Sequence, residues 1–237
     1  MPLNLSTYFQ NSGALALPEL LDGVSTPAEI LARAKTVLDT RLTAPDVREN
    51  RGEFRGSGPE LHGNYFIGEG TVVYGGVTLI GPVYVGKNCE IMPGAILRPY
   101  TILSDGCSVG HGSELKRAVF FSGAKIASEA CALDSVLGKS ARIGSGAITS
   151  NRRFDESCVT LKAGGEKISL GDSFFGLILG DASRLGANCV TQPGTHIGHH
   201  TWIFPQTTVR GFIPPQKRVY DRAELVYEDN EIVELNP

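Results

Sequence analysis

The sequence predicts an all-β chain, a left-handed parallel β-helix, and three observations carry that reading. Residues six apart stay apolar over a long run: Ile67, Val73, Leu79, Val85, Ile91, Leu97, Leu103, Val109, Leu115, Phe121, Ala127 and Leu133. In a chain that is 41% hydrophobic, twelve such positions in a row arise by chance on the order of once in 50,000 tries. The residue after the aliphatic is repeatedly glycine, at Gly68, Gly86, Gly110, Gly138, Gly144, Gly180, Gly186 and Gly198. Glycine is also in excess overall, with 29 among 237 residues, about 12% against a usual ~7%. Repeated tight turns account for such an excess.

Each group of six supplies one short strand and one corner, and three groups close a triangular coil. A second run, Leu179, Leu185, Thr191, Ile197, Ile203 and Val209, keeps the same step, and Leu137, Ile143 and Thr149 bridge the two runs after a phase shift of four. The repeat thus predicts a β-helix over 64–214 with about seven coils, roughly 35 Å tall at the inter-strand spacing. Cys89, Cys107, Cys131 and Cys189 fall four residues after the aliphatic, where a small interior residue is wanted. They read as core fillers. Cys158 lies outside the repeat.

Residues 1–50 read as an N-terminal helical segment and the start of a linker. Thr26-Pro27-Ala28-Glu29 has the form of a capping box with proline at the first helical position. It predicts a helix through about Leu38 with Ile30, Leu31, Ala34, Val37 and Leu38 on one face. Residues 43–63, rich in Gly, Pro and charge, read as linker. The repeat breaks at about 151–177, where Val159–Leu170 with Ala163-Gly164-Gly165 at its centre predicts an inserted hairpin. Residues 215–237 form a C-terminal tail, with a small hairpin expected over Glu224–Leu235.

A formal net charge of −3 without a basic run disfavours nucleic acid and anionic membranes as partners. No apolar stretch approaches the ~18–20 residues that span a bilayer, and the first residues lack the pattern of a secretory signal. Five cysteines without framework spacing suit a reducing compartment. The expected localisation is cytoplasmic.

Three segments carry a family resemblance: Gly112-Ser113-Glu114-Leu115-Lys116, Ser150-Asn151-Arg152-Arg153-Phe154-Asp155-Glu156 and Val190-Thr191-Gln192-Pro193-Gly194. The stretch they mark resembles the acetyltransferase domain of bifunctional sugar-1-phosphate nucleotidyltransferase/glucosamine-1-phosphate acetyltransferases, the archaeal-type members above all. That resemblance covers roughly residues 20–215. It implies a hexapeptide-repeat acyltransferase acting on a sugar phosphate or nucleotide sugar, with acetyl-CoA as co-substrate in the cleft between prisms of a homotrimer. With about 66 residues ahead of the repeat, nucleotidyl transfer is not expected. A trimeric, non-catalytic β-helix that binds a sugar phosphate or serves as a scaffold is the alternative.

Carried over position by position, the resemblance assigns the sugar phosphate to Arg98 and Lys116, one coil apart, and a substrate contact to Asn151. The family's catalytic histidine, in a segment like His-Leu-Ser-Tyr-Val-Gly-Asp-Ser, falls on Ser128, and its tyrosine on Cys131. Acyl transfer needs a base, which serine alone does not supply. His111 is the remaining candidate base, since it follows a corner glycine. Ser145, His196 and His199 are the candidate co-substrate contacts, the alternative for the histidines being exposed corner residues. No set of three ligands suggests a catalytic zinc, and no metal is expected.

Overall fold

In the computed structural model, residues 3–10, 15–42 and 47–221 are described. Short parallel strands stack into three faces of a left-handed β-helical prism. Face 1 has nine strands from Arg48–Asn50 to Phe212–Ile213, and face 2 has nine from Glu53–Arg55 to Arg218–Val219. Face 3 has eight, from Glu60–His62 to Thr208–Val209. Nine rungs at ~4.8 Å make the prism about 38 Å tall.

The stack has nine rungs against the seven coils expected: the segment that reads as linker supplies one strand to each face, and the last strand of face 2, Arg218–Val219, lies beyond the expected end. Residues 48–62 lack the six-residue aliphatic run, yet Arg48–Asn50 pairs with Tyr65–Ile67 and Glu60–His62 pairs with Thr78–Ile80. These first strands bury no side chain fully and bond to a single neighbour, so their apolar signal is weak.

Coil length also changes along the prism. Val85 stands opposite Leu103, eighteen residues on, but Leu103 stands opposite Phe120 and Phe120 opposite Leu137, seventeen on. Only Arg117 and Ala118 separate strand Glu114–Lys116 from strand Val119–Phe120, whereas three residues, 98–100, turn the same corner one coil below. The interior positions there are Phe120, Ile126 and Ala132, one residue before the expected Phe121, Ala127 and Leu133. Cys131 accordingly faces outward and is half-buried, while Ala130 fills the interior. Cys89, Cys107 and Cys189 are buried in the core, as the repeat predicts.

The glycines after each aliphatic serve a different purpose from the tight turns first inferred. Gly68, Gly86 and Gly110 are not among the positive-φ residues. A Cβ on Gly68 would sit 2.6 Å from the backbone of Gly86, and one on Gly110 would sit 2.5 Å from that of Ala127. They let successive coils approach at the corners. The left-handed conformation falls two residues further on, at Gly70 (φ +72°), Asn88 (φ +53°) and Gly112 (φ +65°).

Helix α1 spans Glu29–Arg41 and buries Ile30, Leu31, Ala34, Val37 and Leu38. Its start departs from a standard box: the Thr26 hydroxyl donates to the Glu29 carboxylate at 3.0 Å, and that carboxylate accepts from the Ser25 N–H at 2.9 Å. The helix lies outside face 1. With Tyr8, Phe9, Leu17 and Leu20 it covers the outward Ile102, Val119, Phe121, Val136 and Ile178 in a second core, and the Phe9 and Phe121 rings stack at 4.7 Å. The inserted hairpin, strands Thr160–Ala163 and Glu166–Ser169, is antiparallel and adds Val159 and Leu161 to that cover. One face is therefore closed by the chain itself. The C-terminal hairpin expected over Glu224–Leu235 lies outside the described residues.

Candidate functional site

The insertion leaves the prism after Ile148–Thr149 and returns at Leu177–Leu179, at the corner joining face 3 to face 1. Five side chains knit it to the wall. The carboxylate of Asp134, 1% exposed, accepts from Arg117 Nε at 2.6 Å and from Asn151 Nδ2, with Lys116 Nζ at 3.7 Å. The same Arg117 guanidinium donates to Asp172 Oδ2 at 2.6 Å and to the Phe174 carbonyl. Burial works against charge on Arg117, but the carboxylates of Asp134 and Asp172 outweigh it and raise its pKa. Burial would also raise Asp172; the Phe174 N–H and the Arg117 guanidinium reverse this and hold it below the usual carboxylate range.

Arg98 and Lys116 lie side by side at the ends of neighbouring face 3 strands, where Arg98 N donates to Leu115 O at 2.8 Å. They border a cleft of about 280 Å³ that also takes in Tyr100, Arg117, Asp134 and Phe174. Arg98 is held by Glu114 at 2.7 Å, and Lys116 sits 4.6 Å above the Phe174 ring. Arg152 approaches that ring too, at 5.3 Å. Two adjacent cations on a roofed cleft can receive one anionic group, and Arg98 has a fork suited to oxygens. Asn151 reaches Asp134 rather than open space.

His111 lies at the other end of face 3, on the corner joining it to face 2. Its Nδ1–H donates to the Pro93 carbonyl at 2.7 Å, which leaves Nε2 as the acceptor in the neutral ring. Ser128 and the exposed Ser145 occupy the same corner on the next two coils: the His111 carbonyl accepts from Glu129 N at 2.7 Å and the Ser128 carbonyl from Gly146 N at 3.1 Å.

The three candidate co-substrate contacts are not brought together. His196 is no corner residue: it is fully buried on face 1 beneath the N-terminal segment. Its Nδ1 lies 2.7 Å from the Tyr8 hydroxyl, its ring stacks on Phe212 at 5.2 Å, and burial pushes its pKa down to about 4. It has no surface to offer an external ligand. The repeat alone places it outside the prism, and the covering segment was the missing information. His199 sits on the corner between faces 1 and 2, with Nδ1 3.1 Å from His200 Nδ1. Among the described residues no group of three His, Cys, Asp or Glu is placed to hold a metal ion, and no helix is long and apolar enough to cross a membrane.

Sequence reasoning missed Arg117, Asp134, Asp172 and Phe174. Asp134 lies in the segment matched to the family's catalytic stretch, but a φ of +47° at a corner carries no sequence signal for aspartate.

Comparison with known proteins places this geometry in context. Residues 79–176 match the profile of the GMPPB C-terminal domain. The chain is 36% identical over 150 residues to a bifunctional sugar-1-phosphate nucleotidylyltransferase/acetyltransferase of Sulfurisphaera tokodaii, covering 63% of this chain and 37% of that protein. It is 35% identical over 155 residues to the uncharacterized acetyltransferase YaiX of Escherichia coli, covering 65% of this chain and 67% of YaiX. Among solved structures, the acetyltransferase domain of PglB from Neisseria gonorrhoeae, in complex with acetyl coenzyme A, overlays with a TM-score of 0.38 and 16% identity. That overlay covers 62% of this chain and 53% of the PglB chain. The chain thus spans little more than a third of the bifunctional relative.

Proposed function

Because the chain belongs to the hexapeptide-repeat family of left-handed β-helix acyltransferases, we propose that it transfers an acyl group from acyl-CoA to a sugar derivative, a sugar phosphate or nucleotide sugar. The observation that carries this reading is the adjacency of Arg98 and Lys116 on the cleft roofed by Phe174. Together they take the acceptor's phosphate, and Asp134 behind Lys116 sets the direction of the ammonium.

In the reaction an acceptor amine or hydroxyl attacks the thioester carbonyl carbon. The new C–N or C–O bond forms, the C–S bond breaks, and the sulfur leaves as CoA thiol after gaining a proton. The acceptor's own proton goes to a base, for which neutral imidazole is suited near pH 7. His111 fills that role in this proposal. It stands one coil, about 4.8 Å, from Ser128, the position to which the family's histidine aligns. The Pro93 carbonyl fixes its tautomer with Nε2 open.

Within one chain, His111 and Lys116 lie at opposite corners of face 3, with Gly112 (φ +65°) turning the chain beside His111, a separation on the order of 10–15 Å. A single sugar phosphate does not bridge that gap, so the reading calls for a homotrimer in which acyl-CoA lies between prisms and neighbouring chains complete each site. Face 3 suits such contact, since Ile80, Ile96 and Ile148 are exposed on it, 37%, 38% and 45% respectively. Partners with open lateral surfaces commonly cover one another in this way.

The test is thiol release from acetyl-CoA by the purified protein across amino-sugar and hydroxyl-sugar acceptors, with and without phosphate. Release that depends on a phosphorylated acceptor is the expected result. Silence across the panel, with sugar phosphate still binding, favours the non-catalytic reading, whose support is the replacement of the family histidine by Ser128.

A further inference from the structure

The outward side of face 2 carries a file of charge that the proposed acyl transfer does not use. Register sets Lys125 opposite Arg142, Arg142 opposite Arg184, Arg184 opposite Trp202, and Trp202 opposite Arg218. All five side chains are exposed. At ~4.8 Å per rung the file runs about 19 Å along the prism. Like charges directly opposite on paired strands repel, and among the described residues none of these four cations makes an ion pair or hydrogen bond. Trp202 is instead gripped between guanidiniums, with Arg184 at 5.9 Å and Arg218 at 5.5 Å from its ring centre. Phe204 and Tyr220, 41% and 54% exposed, flank it with rings 5.8 Å apart.

We propose that this face docks an acidic polypeptide segment of a partner protein. Four cations without counter-charge among the described residues specify a carboxylate-rich surface and steer it into register. At the far end of the file Trp202 and Arg218 border only a small open recess of about 230 Å³ with His200, Gln216 and Lys217, smaller than the ~300–1,000 Å³ sites that small ligands take. Trp, Tyr and Arg are the residues that most often carry protein interfaces. The basic file is one residue wide on a chain of net charge −3, so its field is local, which suits a short acidic segment better than a long nucleic acid. A second copy of this chain is the poorer occupant. Its face 2 offers Glu53 and Glu90 against four cations, and Glu53 already binds Arg55 at 2.8 Å.

The experiment is fluorescence anisotropy of a labelled 20-residue poly-glutamate with the full chain. An oligothymidylate of equal length and free CoA serve as competitors. The expected result is saturable binding that weakens with salt and falls at least tenfold in the double variant Arg142→Ser/Arg184→Ser, whose thermal melt matches the parent. Undiminished binding by that variant overturns the proposal, and so does displacement by CoA or oligothymidylate at concentrations below those of unlabelled peptide. Absence of binding to the full chain overturns it as well. Were binding then to appear in a chain ending at Asp221, the acidic residues Glu224–Glu234 of this chain would be the competing occupant. The file shares no residue with the proposed acyl-transfer site, so its failure leaves that reading standing.

Discussion

Arg117 Nε donates to Asp134 Oδ1 at 2.6 Å between successive coils, and the same guanidinium reaches Asp172 at 2.6 Å on the inserted loop. One cation thus joins prism to insertion at the edge of the candidate cleft. Its partner Asp134 is 1% exposed while Arg117 keeps 23% of its surface, so the pair is costly to break from either side.

Asp134→Ala is therefore expected to destabilise the chain by about 2–3 kcal/mol, the usual cost of orphaning a buried partner discounted for the partial exposure of Arg117. Urea denaturation measures this. The same variant should speed tryptic cleavage after Arg152 and Arg153, because Asn151 loses its anchor. A loop as resistant as the parent's would show that Asp134 is dispensable to it, the Arg117 bonds to Asp172 and Phe174 and the hairpin's apolar contacts being enough to hold it.

Arg98→Ala and Lys116→Ala should each cost no more than about 1 kcal/mol of stability, since both side chains are half-buried and their ion pairs partly solvated. Losing a charge-assisted contact to phosphate costs roughly 1.5–3 kcal/mol, so KM for a phosphorylated acceptor should rise about ten- to a hundredfold. Steady-state kinetics with paired phosphorylated and unphosphorylated sugars decides the matter. Equal losses on both would remove the phosphate from the assignment.

Much of the prism was legible because one apolar position in six must face inward whatever the corner sequence. Ile67, Leu79 and Leu97 needed no further information. What the period could not reveal was a corner one residue short, which moves the interior from Phe121 to Phe120. Nor could it show that face 1 is covered, which turns His196 from a surface histidine into a core one. The cleft was half legible. Arg98 and Lys116 stand one coil apart in any triangular stack, but Phe174 and Asp172 reach them through a loop with no period. Asn151 turns its Nδ2 to Asp134, a contact that no period carries.

His111→Ala should lower acyl transfer by about 10²–10⁴-fold, the usual worth of a positioned base, with acetyl-CoA affinity retained. The residue is exposed and its ring makes a single hydrogen bond, to Pro93, so the thermal midpoint should stay put. A robust, unchanged rate would mean that another group takes the proton.

His196 makes stability depend on pH in a stated direction. Its folded pKa is pushed from 6.5 down to about 4 by burial, so the unfolded chain binds a proton in that window that the folded chain refuses. Stability is full above about pH 6.5 and falls as the solution is acidified toward 4, by at most about 3 kcal/mol from this group. Carboxylates such as Asp172, whose pKa is lowered in the fold, act in the same direction as the solution is acidified, which a single titration cannot separate. His196→Gln removes the titration while retaining a group able to bond the Tyr8 hydroxyl. Urea denaturation of both proteins at pH 7.5 and 4.5 should show the parent losing about 2–3 kcal/mol more than the variant. Equal losses would mean that the imidazole takes up its proton without leaving Tyr8 and Phe212, and that the N-terminal segment opens readily enough to let water reach it.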